Sequence, residues 1–164
     1  MTIITQPRMT PTAIRILDTA EALFYAHGLR AIGVERIADE ADTTKKTIYD
    51  RFGSKDGLIT AYLRQRCDRW HAYATAYVDE HQPTPGQERV LALLDALDSW
   101  MADSSRGCGF VNAYAELAGT GHEALPIIAE EKRWTRAYYV ERLTELDIRR
   151  LSAAGASWRS CTKV

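Results

Sequence analysis

Apolar residues recur every three or four positions along most of this 164-residue chain, in blocks separated by short polar or Gly/Pro-containing breaks. The first block is Ile14, Leu17, Ala20, Leu23 and Phe24. Thr10 and Pro11 open it as N-cap and first-turn proline, and Gly28 closes it. Val34, Ile37, Ala38 and Ala41 predict a short second helix. Ile48 and Phe52, four apart, predict a third, capped by Thr44. Ser54 caps a long fourth helix through Leu58, Ile59, Tyr62, Leu63, Arg66, Trp70, Tyr73 and Tyr77, running to about Glu80. Gln82-Pro-Thr-Pro-Gly86 breaks the pattern. Val90, Leu91, Leu94, Leu97 and Met101 predict a fifth helix, and Phe110 to Leu117 a short sixth. A long seventh runs from Leu125 to about Leu151 through Ile128, Tyr138, Tyr139, Leu143 and Leu146. The expected fold class is all-α.

The second and third helices are joined only by Asp42 and Thr43. Two short helices with so tight a turn cross steeply, as in a helix-turn-helix, whose second helix enters the DNA major groove. Ala38 and Ala41 are small enough for close approach. Asp42 sits where the turn needs a left-handed residue, which Asp tolerates better than most, though less well than Gly. The first helix has the spacing to cover this pair and complete a three-helix core.

The stretch contains Ile37-Ala38, Ala41-Asp42, Thr44, Tyr49-Asp50-Arg51-Phe52 and Ser54-Lys55-Asp56-Gly57-Leu58. In this it resembles the TetR family of bacterial transcription regulators. That family runs through an Ile-Ala pair, an Ala-Gly turn, a Ser or Thr cap, a Tyr-x-x-Phe and a Ser-Lys-x-x-Leu. The departure is Asp42 for the usual Gly, a cost in stability rather than in fold. The likeness is close over about the first seventy residues. The resemblance implies a helix-turn-helix DNA-binding domain over residues 10–70, with its motif at 33–52. A helical ligand-binding and dimerisation domain follows over 71–157, then an irregular tail over 158–164. Carried over residue by residue, Lys45, Lys46 and Thr47 are expected at base edges, and Thr44, Tyr49 and Lys55 at the phosphate backbone. Asp50 either accepts from a cytosine amino group or pairs with Lys46 one turn back, and the intrahelical pair is the reading preferred.

Charge does not add to this. The net charge is −1, so any basic patch is local. The three cysteines, Cys67, Cys108 and Cys161, have no paired spacing and read as free thiols of a reducing cytosol. No apolar run is long enough for a membrane span, and no signal-peptide pattern opens the chain, so a cytoplasmic protein is expected. His27, His71, His81 and His122 show no metal spacing. Neither a Gly-rich phosphate loop nor a Ser-His-Asp order suggests an enzyme, and no cofactor is expected.

All four tryptophans lie from Trp70 onward. The ligand candidates there are Trp70, Tyr73, Tyr77, Trp100, Met101, Phe110, Asn112, Tyr114, Trp134 and Tyr138. Apolar walls with a few polar handles suit a small apolar or aromatic effector, while plain aromatic core accounts for each residue taken singly. The segment Arg106 to Glu116 is similar to one common in a TetR subfamily's ligand domain.

The family further implies a homodimer on a palindromic double-stranded operator, built by two late helices for which little sequence remains after Leu151. Truncation of a longer regulator is the preferred reading of the patternless tail, with a dimer through the long seventh helix as the rival. The expected function is a DNA-binding transcriptional regulator, a repressor released by a ligand. The alternative is a helical ligand-binding or interaction protein without productive operator binding.

Overall fold

The computed structural model describes residues 9–102 and 104–146. Every regular element among them is helical: α1 Pro11–His27, α2 Val34–Glu40, α3 Lys45–Phe52, α4 Lys55–His81, α5 Gln87–Met101, α6 Gly109–Leu117 and α7 Leu125–Glu145. The expected end of the seventh helix near Leu151 and the 158–164 tail lie outside the described residues, as does Cys161. None of the described helices is long and apolar enough to cross a membrane.

The helix ends follow their local chemistry. Thr10 Oγ1 accepts from the Ala13 amide at 3.3 Å, with Pro11 in the first turn. Gly28 ends α1 at φ 95°, a left-handed value that favours glycine. Ser54 Oγ accepts from the Gly57 amide at 2.8 Å as α4 begins. At Gly57 a Cβ would run into the Phe52 carbonyl oxygen, so this close approach of α3 to α4 requires glycine.

Residues 9–68 pack with Ser104–Ala129 as one compact unit, and 69–102 with 130–146 as another. The first unit therefore takes in α6, which lies beyond the sequence boundary near residue 70. Its core joins Ile16, Leu17, Phe24, Ile37, Ile48, Leu58, Tyr62 and Leu63 to Phe110, Leu117 and Ile127. Polar ties reinforce that packing. The Glu116 carboxylate accepts from the backbone amides of Leu29 at 3.0 Å and Arg30 at 2.8 Å, and Arg30 Nη2 donates to the Glu116 carbonyl at 2.7 Å. Tyr25 donates to the Gly107 carbonyl at 3.0 Å and accepts from the Arg106 amide at 3.2 Å. Arg66 pairs with Glu21 at 2.9 Å, with only 10% and 15% of the two side chains exposed. A nearly buried pair of this kind is costly to break, because it leaves one charge uncompensated.

The buried face of α1 is Ala13, Ile16, Leu17, Ala20, Leu23 and Phe24, while Ile14 is 42% exposed. The predicted stripe was one position off at its start. On α5 the difference is larger. Leu91 and Leu94, part of the spacing that predicts the helix, are more than half exposed, and Ala92, Leu93 and Ala96 are buried instead. This helix carries apolar residues around most of its girth. Spacing alone selects the bulky ones, whereas packing selects the face with two alanines four apart, which allows closer approach.

Candidate functional site

The site begins at the turn. Asp42 has φ 47°, the single non-glycine residue at positive φ among those described. Arg15 holds the turn from α1: its Nε donates to the Ala41 carbonyl at 2.8 Å and its Nη2 to the Asp42 carbonyl at 3.4 Å. Behind it Val34, Ile37, Ala38, Ala41 and Ile48 are all buried, as their spacing predicts, and Phe52 packs partly buried against them.

Burial of Ile48 turns the opposite face of α3 outward. Thr44 Oγ1 accepts from the Thr47 amide at 3.1 Å, and the two threonine hydroxyls lie 2.9 Å apart. Thr47 is thus fixed by the cap that starts its helix. Tyr49 is 45% exposed. The first-turn amides and the helix dipole put positive potential beside Lys45 and Lys46. Lys55, at the start of α4, has no ion-pair partner among the described residues. Five of the six candidates, Thr44, Lys45, Lys46, Thr47 and Tyr49, lie on α3 or its cap, and Lys55 opens α4 just beyond Gly53.

Two carboxylates engage the lysines. Lys46 Nζ meets Asp50 Oδ2 at 2.6 Å, the intrahelical pair preferred from the sequence. Lys45 Nζ meets Glu35 Oε1 at 2.9 Å, a contact ten residues apart that helical spacing does not reveal. The hydrogen bond to Glu35 raises the Lys45 pKa, and the same bond lowers that of Glu35.

Known proteins share this sequence pattern and fold. Residues 16–62 match the family described as bacterial regulatory proteins, tetR family. The TetR-family transcriptional regulator SCO4454 from Streptomyces coelicolor has the same fold, with a TM-score of 0.75 and 32% identity over 82% of this chain and 70% of that one. The chain belongs to the TetR family. The fatty acid degradation regulator FadR from Bacillus halodurans shares the fold at 21% identity, with a TM-score of 0.68 over 85% of this chain and 70% of that one. An uncharacterised HTH-type transcriptional regulator of Bacillus subtilis, YvkB, is 42% identical over 57 residues, 35% of this chain and 30% of its own length. The match therefore spans less than a third of that relative.

The ligand candidates of this TetR-family chain fall in two groups. Phe110 lies in the core of the first unit, and Tyr114 on the same helix is 56% exposed. Asn112 Nδ2 donates to the Arg106 carbonyl at 2.9 Å and closes the loop before α6. The second unit gathers Trp70 and Tyr138 in its core, with Tyr73, Tyr77, Trp100 and Trp134 packed against them. Met101 is half-buried at the end of α5. The rings contact one another: Trp70 meets Trp100 edge-on at 5.7 Å, and Tyr73 lies 5.1 Å from Trp100. Most of these aromatics fill their own core.

Trp134 and Tyr138 also line an open cleft of about 230 Å³ in the second unit, with Val78, Asp79, Arg89 and Arg142 among its other walls. Tyr138 donates to the Arg89 carbonyl at 2.7 Å, and the Arg142 guanidinium lies over its ring at 4.9 Å. Burial raises the Tyr138 pKa, so the hydroxyl stays a donor. Arg89 and Arg142 escape a search for apolar periodicity. Arg89 is the one cation of α5, but nothing in the sequence singles out Arg142 among Lys132, Arg133 and Arg136 on α7. Among the described residues no group of His, Cys, Asp and Glu could hold a metal ion. Cys67 is buried and Cys108 half-buried.

Proposed function

We propose that this TetR-family chain regulates transcription as a sequence-specific DNA-binding protein, a repressor released by a small molecule. The observation that carries the reading is the start of α3. There a threonine cap, two exposed lysines and a Thr47 fixed by that cap surround the helix start, while Ile48 is buried behind it. Such a helix start fits a major groove. In this reading Lys45, Lys46 and Thr47 meet base edges, and Thr44, Tyr49 and Lys55 meet phosphates, so that one set specifies and the other positions. The target is a palindromic duplex read by two copies, with half-sites about one DNA turn apart.

The test is binding to DNA flanking the protein's own gene, measured against salt. Lys55→Ala should weaken binding to all sequences and flatten the salt slope by about one unit. Thr47→Ala should change sequence preference, at about 1–3 kcal/mol per lost base contact. If both variants shift every sequence equally, the division between positioning and reading is wrong. A released repressor further requires that effector and operator weaken each other's binding by the same factor, typically 1–3 kcal/mol. A compound that binds without changing operator affinity is not the effector, since equal affinity for both states shifts nothing.

A further inference from the structure

The second-unit cleft has a chemistry that apolar effectors do not need. Two of its walls are arginines, Arg89 on α5 and Arg142 on α7, with only 12% and 16% of their side chains exposed. Their carboxylate partners stand further out. Asp79 pairs with Arg89 at 2.6 Å and is 59% exposed, and Glu141 pairs with Arg142 at 2.9 Å and is 66% exposed.

The two arginines differ in what else they hold. Arg89 Nη1 also donates to the Gln82 carbonyl, at the end of α4. That fixes Arg89 as a tie between α4 and α5. Arg142 pairs with the carboxylates Glu141 and Glu145, the latter at 3.4 Å, and lies over the Tyr138 ring. Its Nε is buried and has no hydrogen-bond partner among the described residues. A buried guanidinium donor without an acceptor is costly, and a planar carboxylate is the group its fork geometry suits.

The remaining walls suit an aromatic body. Trp134 and Tyr138 supply aromatic surface and Val78 aliphatic surface, although His71 already stacks on the Trp134 ring at 4.1 Å and Arg142 lies over that of Tyr138. The volume, about 230 Å³, falls below the ~300–1,000 Å³ of drug-sized sites, so the occupant is compact.

We propose that this cleft binds a small aromatic carboxylate, its ring against Trp134 and Tyr138 and its carboxylate on Arg142 in place of Glu141. The proposal names the chemical class of effector and rests on the effector reading above. It adds an anionic group, and an anchor for it, to the apolar or aromatic compound that the sequence suggests. The exchange at Arg142 is one carboxylate for another, so no charge is stranded when Glu141 swings to water.

The test uses the full 164-residue chain and calorimetric titration with naphthoate and its neutral counterpart naphthalenemethanol. The wild-type protein should prefer naphthoate by about tenfold, the ratio that a single charge-assisted contact of ~1.4 kcal/mol gives. Arg142→Gln should bring the two compounds to equal affinity. Glu141→Gln, which removes the competing rim carboxylate and leaves the core untouched, should tighten naphthoate alone by a few fold. Equal binding of the two compounds by the wild-type protein overturns the proposal, as does no binding of naphthoate. A preference that survives Arg142→Gln also overturns it, whatever that variant does to stability. Operator affinity is measured separately. If naphthoate binds with the Arg142-dependent preference but leaves operator affinity unchanged, the site stands and the effector reading falls.

Discussion

The Lys45 ammonium donates to the Glu35 carboxylate at 2.9 Å, tying the start of α3 to α2. Both side chains are more than half exposed, so the pair adds little to stability. Its consequence lies in binding. If Lys45 meets DNA as proposed it must first leave Glu35, and the carboxylate left behind would repel nearby phosphates. Glu35→Gln should therefore tighten DNA binding by several fold, most on the sequences that Lys45 reads. Lys45→Ala in that background should lose the gain. Fluorescence anisotropy on specific and scrambled duplexes checks this, and a Glu35→Gln protein that binds more weakly would refute it.

Asp42 is held at φ 47° in the turn between α2 and α3. The contacts from Arg15 go to backbone carbonyls, which a glycine keeps. Asp42→Gly should thus raise stability by about 0.5–1 kcal/mol, because glycine takes the left-handed region without a Cβ penalty. Asp42→Val should lower it by at least as much, since a β-branched residue resists positive φ. Urea unfolding of the two variants settles the sign.

Glu116 grips the turn after α1 through two backbone amides. Glu116→Ala leaves those donors without their acceptor and should cost about 1–3 kcal/mol. Gly28→Ala should cost a similar amount by a different route. Its Cβ would lie 2.9 Å from Glu116 Oε1 at φ +95°. The two residues share one contact, so the double variant should cost less than the sum. Additive losses in a double-mutant cycle would show that the backbone strain, not the carboxylate, dominates at Gly28.

Tyr62 is buried beneath Phe24, ring centroids 5.6 Å apart. Burial pushes its pKa from an ordinary 10.0 up to about 12. The folded state therefore keeps its proton at pH values where the unfolded chain loses it. Stability from this group is complete below about pH 10 and is lost as pH rises from there towards about 12, at no more than ~1.4 kcal/mol per pH unit. Unfolding free energies measured stepwise across that range should fall for the wild-type protein. Tyr62→Phe should fall less steeply, and equal slopes would remove Tyr62 as the cause.

The helices, their caps and the helix-turn-helix were legible in the sequence because they depend on neighbours one turn away. Thr10, Thr44 and Ser54 cap the helices that their positions predict. Ile48 is buried and Asp42 is left-handed for reasons of local spacing and turn geometry. The Lys46–Asp50 pair follows from i,i+4 geometry alone.

Only the tertiary structure decided what depends on residues far apart in the chain. Lys45 finds Glu35 across the turn. Glu116 reaches back to Leu29 and Arg30, and so brings α6 into the first unit. The buried face of α5 is chosen by what packs on it, and it passes over Leu91 and Leu94 in favour of Ala92 and Ala96. The cleft sets Val78 and Asp79 of α4 and Arg89 of α5 against Trp134, Tyr138 and Arg142 of α7. A one-dimensional pattern records which side of a helix can be buried. It does not record which charged side chains the packed helices bring together, because that is set by distances through space.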